Sequence, residues 1–175
     1  MVTVPVDDTL LGIYLNDHLA GATAGVELAE RLAGENRDRI GGRVLRRLAE
    51  EVAEDRVALL DLMATLDVPV RHYKVWLGWL GEKAGRLKPN GRILTRSPLS
   101  RVIGLETLRL GIEGKAALWR ALRGRAEIDS RLHTERLDDL LDRARRQSAT
   151  VESFRGWAVT EAFGGDAEPP DMPAG

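Results

Sequence analysis

Four stretches of this chain repeat apolar residues at steps of three and four, and the stripes carry an imidazole and charges where the pattern calls for hydrocarbon. Leu11, Leu15, His18, Ala22, Gly25, Ala29 and Leu32 form the first stripe, and Leu45, Leu48, Val52, Asp55, Leu59, Leu62 and Leu66 the second. That spacing places each set on one face of an α-helix. Leu137, Leu140, Ala144, Gln147, Val151, Phe154 and Ala158 repeat the pattern near the C-terminus. A fourth stretch, from Pro98, is apolar over most of its circumference, as expected of a well-buried helix.

Punctuation sets the limits of these helices. Asp7 or Asp8 can cap the first, whose side-chain oxygen would accept from the open amides of the first turn. Gly34 is a stop signal, so the first helix is expected over 8–33. After a polar turn at 35–42, the second runs to about residue 66. Ser97-Pro98 opens the third, expected to end near 123, with serine as N-cap and proline at the first helical position. The fourth is expected over 132–162, closed by Gly164-Gly165. Small residues on the first helix (Ala22, Gly25, Ala29) and Gly104, Gly111 and Gly114 on the third suggest close helix contacts, since each glycine costs about 1 kcal/mol of helix propensity.

The expected fold is therefore all-α, with two antiparallel hairpins joined by a long crossover. Residues 1–164 form the bundle, and 165–175 an acidic, proline-rich tail expected to be disordered. Within the crossover, Pro69 can start a short amphipathic helix over 69–87 with Tyr73, Trp76, Leu77, Leu80, Ala84 and Leu87 on one face. The other arrangement is an irregular five-helix bundle with this helix in the core.

Charge is unevenly spread. Residues 1–69 hold 7 basic and 13 acidic side chains, residues 70–101 hold 8 and 1, and residues 102–175 hold 11 and 13. The basic middle carries Arg71, Lys74, Lys83 and Arg86 interleaved with Trp76 and Trp79, which makes it the candidate partner surface. The plainer reading lays it on the chain's own acidic surface, its rings filling a groove of the bundle. An anionic membrane surface is a weaker fit. Nucleic acid is not expected, because the patch is short and the whole chain slightly acidic. No apolar run approaches the ~20 residues needed to span a bilayer, and residues 1–9 hold two acids and no basic residue, unlike a secretory signal. A cytoplasmic location is the default. The absence of cysteine excludes disulfides, thiolate metal sites and cysteine nucleophiles. There is no phosphate loop, dinucleotide fingerprint or nucleophile elbow, and no catalytic residue is assigned.

The polar residues within the inward arcs are the best functional clue, since a buried charge is costly unless paired or bound. His18, Asp55, Glu106, Arg109 and Glu113 fall there, with Glu51 at the edge of its stripe and Gln147 within its own. Folding the hairpins about residues 37 and 128 sets His18 level with Asp55, and Arg109 opposite Gln147. The first expectation is a buried network in which Arg109 pairs with Glu106 or Glu113 and Asp55 accepts from His18.

The two-hairpin plan resembles the ferritin-like superfamily. The segment Leu105-Glu106-Thr107-Leu108-Arg109-Leu110-Gly111-Ile112-Glu113-Gly114-Lys115 looks like an uncharacterised actinobacterial branch of that layout. The resemblance covers about residues 8–163. Metal-using members take single glutamates from two helices and a Glu-x-x-His pair from each of the others. No Glu-x-x-His occurs here, and the nearest relic is Glu51-x-x-Glu54. The expected function is thus association, with a second copy or another protein, and without a cofactor. The alternative is a reduced metal site of His18, Asp55, Glu106 and Glu113 holding iron, manganese or zinc, with a redox role. Arg109 counts against it, because a guanidinium stays charged and repels a cation.

Overall fold

A computed structural model describes residues 8–37, 39, 41–71 and 98–165. These form four helices and no strand: α1 (Asp8–Glu35), α2 (Gly42–Thr65), α3 (Pro98–Arg125) and α4 (Thr134–Ala162). The stripes read from the sequence form one core. Leu15, Leu32, Leu59, Met63, Leu105, Leu118, Leu137 and Val151 are buried in it, and Trp119 and Phe154 are its largest fully buried side chains. None of the described helices is long and apolar enough to cross a membrane.

Helix ends follow the backbone's need for partners. α1 continues past Gly34 to Glu35. Its end is closed by Asn36, a buried residue whose Nδ2 donates to the Leu32 carbonyl at 2.7 Å. Gly41 then takes φ +84°, the left-handed region in which only glycine is unstrained. α2 ends in a Schellman motif: Val68 N–H reaches the Met63 carbonyl and Asp67 N–H the Ala64 carbonyl. Asp67, at φ 55°, takes the position usually given to glycine. α4 stops in a similar way at Gly164, with Gly165 N–H bonded to the Thr160 carbonyl.

Cross-helix contacts give the packing order. Between α1 and α2, Arg56 Nε donates to Thr23 Oγ1 at 2.9 Å, and Val68 packs beside Gly12. Between α3 and α4, Arg123 meets Asp138, Glu113 accepts from Ser148, Arg109 meets Glu152 and Arg101 meets Glu161. α2 and α4 are tied by Arg136 to Asp61 and Arg143 to Glu54. α1 touches α3 where Leu32 lies against Gly104. A Cβ on Gly104 would stand 3.0 Å from that leucine, so this glycine does serve close packing. Gly111 and Gly114 do not, because a Cβ at either meets nothing within 4 Å. The close packing expected at Gly104, Gly111 and Gly114 is therefore corrected: it holds at Gly104 against Leu32, and a cleft lies beside the other two.

Asn16 fixes the chain as it leaves α2. Its Nδ2 donates to the Pro69 carbonyl at 3.1 Å and its Oδ1 accepts from Arg71 N–H at 2.7 Å. Arg71 is exposed there. Residues 68–71 are not helical. The rest of the expected 69–87 helix, with Trp76, Trp79, Lys74, Lys83 and Arg86, lies outside the described residues, as does the tail beyond 165.

Candidate functional site

Asp55 is the centre of the polar layer. It sits on the inner face of α2, between Val52 and Leu59, with 1% of its side chain exposed. Lys115 of α3 extends its ammonium to Asp55 Oδ2 and to Gln147 Oε1, the latter at 2.5 Å. Gln147 of α4 donates through Nε2 to the same Oδ2 at 3.1 Å and to Glu51 Oε2 at 3.3 Å. Arg143, one turn earlier on α4, places Nη2 2.6 Å from Asp55 Oδ1 as an ion pair and donates through Nη1 to Glu54 at 2.8 Å. Glu51 with Asp55, and Arg143 with Gln147, are i,i+4 pairs, so each helix offers two adjacent groups to the other. Three helices thus meet through one carboxylate. Burial pulls the Lys115 pKa below the usual lysine range, and the Asp55 carboxylate pulls it back up.

Beside this cluster lies a cleft of about 530 Å³ between α1 and α3, with α2 as its floor. Gly21, Ala22 and Gly25 line one side and Gly111 and Gly114 the other; Val52, Leu59, Leu118 and Trp119 supply apolar surface. His18 and Asp55 both line it, as does Lys115. The His18 ring stands edge-on to Tyr14, with centroids 4.5 Å apart. Burial lowers the His18 pKa below 6.5, against an opposing pull from Asp17.

The expected convergence of five polar groups is corrected. Glu106 has 50% of its side chain exposed and faces Arg155 at 3.7 Å. Arg109 has 43% exposed and pairs with Glu152 at 2.8 Å. Glu113 is exposed and accepts from Ser148. All three lie on the side of α3 that meets α4, away from Asp55. His18 has no hydrogen bond to Asp55. Of the expected network, Glu51 and Gln147 are in place and Arg109 is not. Among the described residues no three His, Cys, Asp or Glu side chains gather closely enough to hold a metal ion. His18, Asp55, Glu106 and Glu113 are therefore not gathered into one such group.

Lys115 and Arg143 are the members that the sequence reading passed over. Lys115 carried a visible signal, since Leu108, Ile112, Lys115, Trp119 and Leu122 are spaced as one stripe. The register error came from the turn. Glu113 opposite Ser148 and Arg109 opposite Glu152 centre it near 130 rather than 128. That shift carries Gln147 from Arg109 to the level of Lys115.

His18 gives the first testable consequence. Its folded pKa is lowered, so the unfolded chain binds the proton more readily. Its contribution to stability is complete above pH 6.5 and is lost as pH falls through the folded value. The imidazole should titrate below 6.5 by NMR, and the melting-temperature gap between wild type and His18→Gln should shrink on acidification. A midpoint above 6.5 would contradict the burial argument.

Among the described residues, fold and site together define four helices with a buried carboxylate held by lysine, arginine and glutamine. No protein-family model, curated protein or solved structure matches the chain.

Proposed function

We propose that the chain is a ferritin-like bundle that works by association with a second copy of itself, and that its central cluster is structural rather than metal-binding. The topology is read as two antiparallel hairpins with α2 and α3 running the same way, as a long crossover requires. The order of contacts supports this. Partners of α3 at 101, 109, 113 and 123 fall at 161, 152, 148 and 138 of α4, and partners of α2 at 54 and 61 fall at 143 and 136.

One observation carries the metal-free reading: the cation beside Asp55 is the covalently attached Lys115 ammonium, which also satisfies Gln147. A metal ion would have to displace it and Arg143 from a carboxylate that both already neutralise. For association, α3 offers Leu99, Ile103 and Leu110, which share one outer side by helical spacing and are 46%, 46% and 73% exposed. The flanking charges Glu106, Arg109 and Glu113 are each engaged by α4, so two such rows can meet without like charges left facing one another.

Sedimentation of the full chain should show a dimer. Ile103→Glu with Leu110→Glu should weaken it at least about tenfold without lowering the melting temperature. A wild-type monomer would end the association reading. Titration with ferrous, manganous and zinc ions should show no stoichiometric binding. Tight binding that is lost in His18→Ala or Asp55→Ala would restore the metal reading instead.

A further inference from the structure

The cleft between α1 and α3 raises a question that association leaves open. Four of its lining residues are mid-helix glycines: Gly21, Gly25, Gly111 and Gly114. A Cβ at any of the four would meet nothing within 4 Å. Each costs about 1 kcal/mol of helix propensity relative to alanine, and none recovers it through close packing. The space they leave, about 530 Å³, lies within the usual range for small-molecule sites and is lined mainly by apolar groups.

Its polar groups are few, and its charged side chains, Asp17, Asp55, Arg56 and Lys115, are two acids and two bases. Asp55 and Lys115 neutralise one another at the floor. Arg56 is tied through Nε to Thr23, and the acidic Asp17 lines the same cleft. Burial disfavours the charged form of His18. Two ring donors in the walls lack protein acceptors: the His18 ring makes no hydrogen bond among the described residues, and Nε1–H of the fully buried Trp119 has none either. A charged ligand would lose its hydration here against mostly apolar walls whose charged groups balance in number.

We propose that this cleft is a binding site for an uncharged, largely hydrocarbon molecule bearing one oxygen that accepts a hydrogen bond from His18. The site does not depend on dimer formation, and its test reads a different quantity.

The full-length protein is titrated with prodan, a neutral naphthyl ketone, and with anilinonaphthalene sulfonate, an anion of similar size. Prodan should bind one per chain with a dissociation constant on the order of micromolar, and the sulfonate at least about tenfold more weakly. Gly25→Leu and Gly111→Leu, which project side chains into open space, should each weaken prodan about tenfold or more while circular dichroism and melting stay at or above wild type. His18→Phe should weaken it about three- to tenfold, the usual worth of one hydrogen bond. The proposal is overturned if the sulfonate binds equally well, if the leucine variants bind as wild type does, or if wild type binds neither probe. Binding that appears only in Trp76→Ala also overturns it, because the occupant would then be the chain's own residues.

Discussion

Replacing Asp55 with alanine should cost about 3–5 kcal/mol, because the carboxylate accepts from Lys115 and Gln147 and is ion-paired with Arg143, groups on two other helices. Lys115, Arg143 and Gln147 all converge on its two oxygens, and almost none of it reaches solvent. Without it the Lys115 ammonium keeps only the Gln147 oxygen, inside a largely apolar setting. Lys115→Met should cost less, about 1–3 kcal/mol, since Asp55 still holds Arg143 and the Gln147 amide. The double variant should fall short of the sum by about 1–3 kcal/mol, since each single change already breaks the same contact. Urea unfolding at pH 7 measures all three. A loss under about 1 kcal/mol for Asp55→Ala would mean that water reaches the cluster and screens it. The cluster's benefit then lies in register more than in net stability: a buried pair often gains little over hydrocarbon, yet a slipped helix would leave a charge unmatched.

The second large effect is expected at Gly41, which turns the chain from α1 into α2. At φ +84° an alanine is strained by about 1–2 kcal/mol. Its Cβ would also stand 2.5 Å from Phe154 Cε1 and 2.6 Å from Cζ. Phe154 is 2% exposed and packed in the core, so its ring cannot step aside without opening a void. Gly41→Ala should therefore lose about 2–4 kcal/mol in all. Gly34→Ala is the control, because its Cβ meets nothing within 4 Å and its backbone is helical; it should be neutral or slightly stabilising. Equal melting temperatures for the two variants would refute the argument.

Residues with a single local cause were read correctly from the chain. The four helices begin and end within a few residues of where capping and periodicity place them: 8–33 became Asp8–Glu35, and 98–123 became Pro98–Arg125. Asp55 and Gln147 were recognised as buried polar groups because each interrupts an apolar stripe. Glu106, Arg109 and Glu113 were misplaced for one reason. Apolar residues are spread around α3, with Leu99, Ile103 and Leu110 exposed, so periodicity alone could not distinguish the face toward α4 from the face toward the core. Lys115 was passed over although its stripe position was visible, because a long side chain can carry its charge to the surface from a buried stem.

The glycines show the same division. Sequence marks all of them as costly in a helix, and Gly104 repays the cost against Leu32 while Gly111 borders open space. The order of residues along the chain dictated helix, stripe and turn, since these depend on neighbours within about four positions. Which carboxylate met which cation, and where two helices parted to leave a cleft, depended on a turn centred two residues later than expected and on the volumes of side chains far apart in sequence. Such contacts are fixed by the simultaneous packing of several helices, a constraint that no single segment contains.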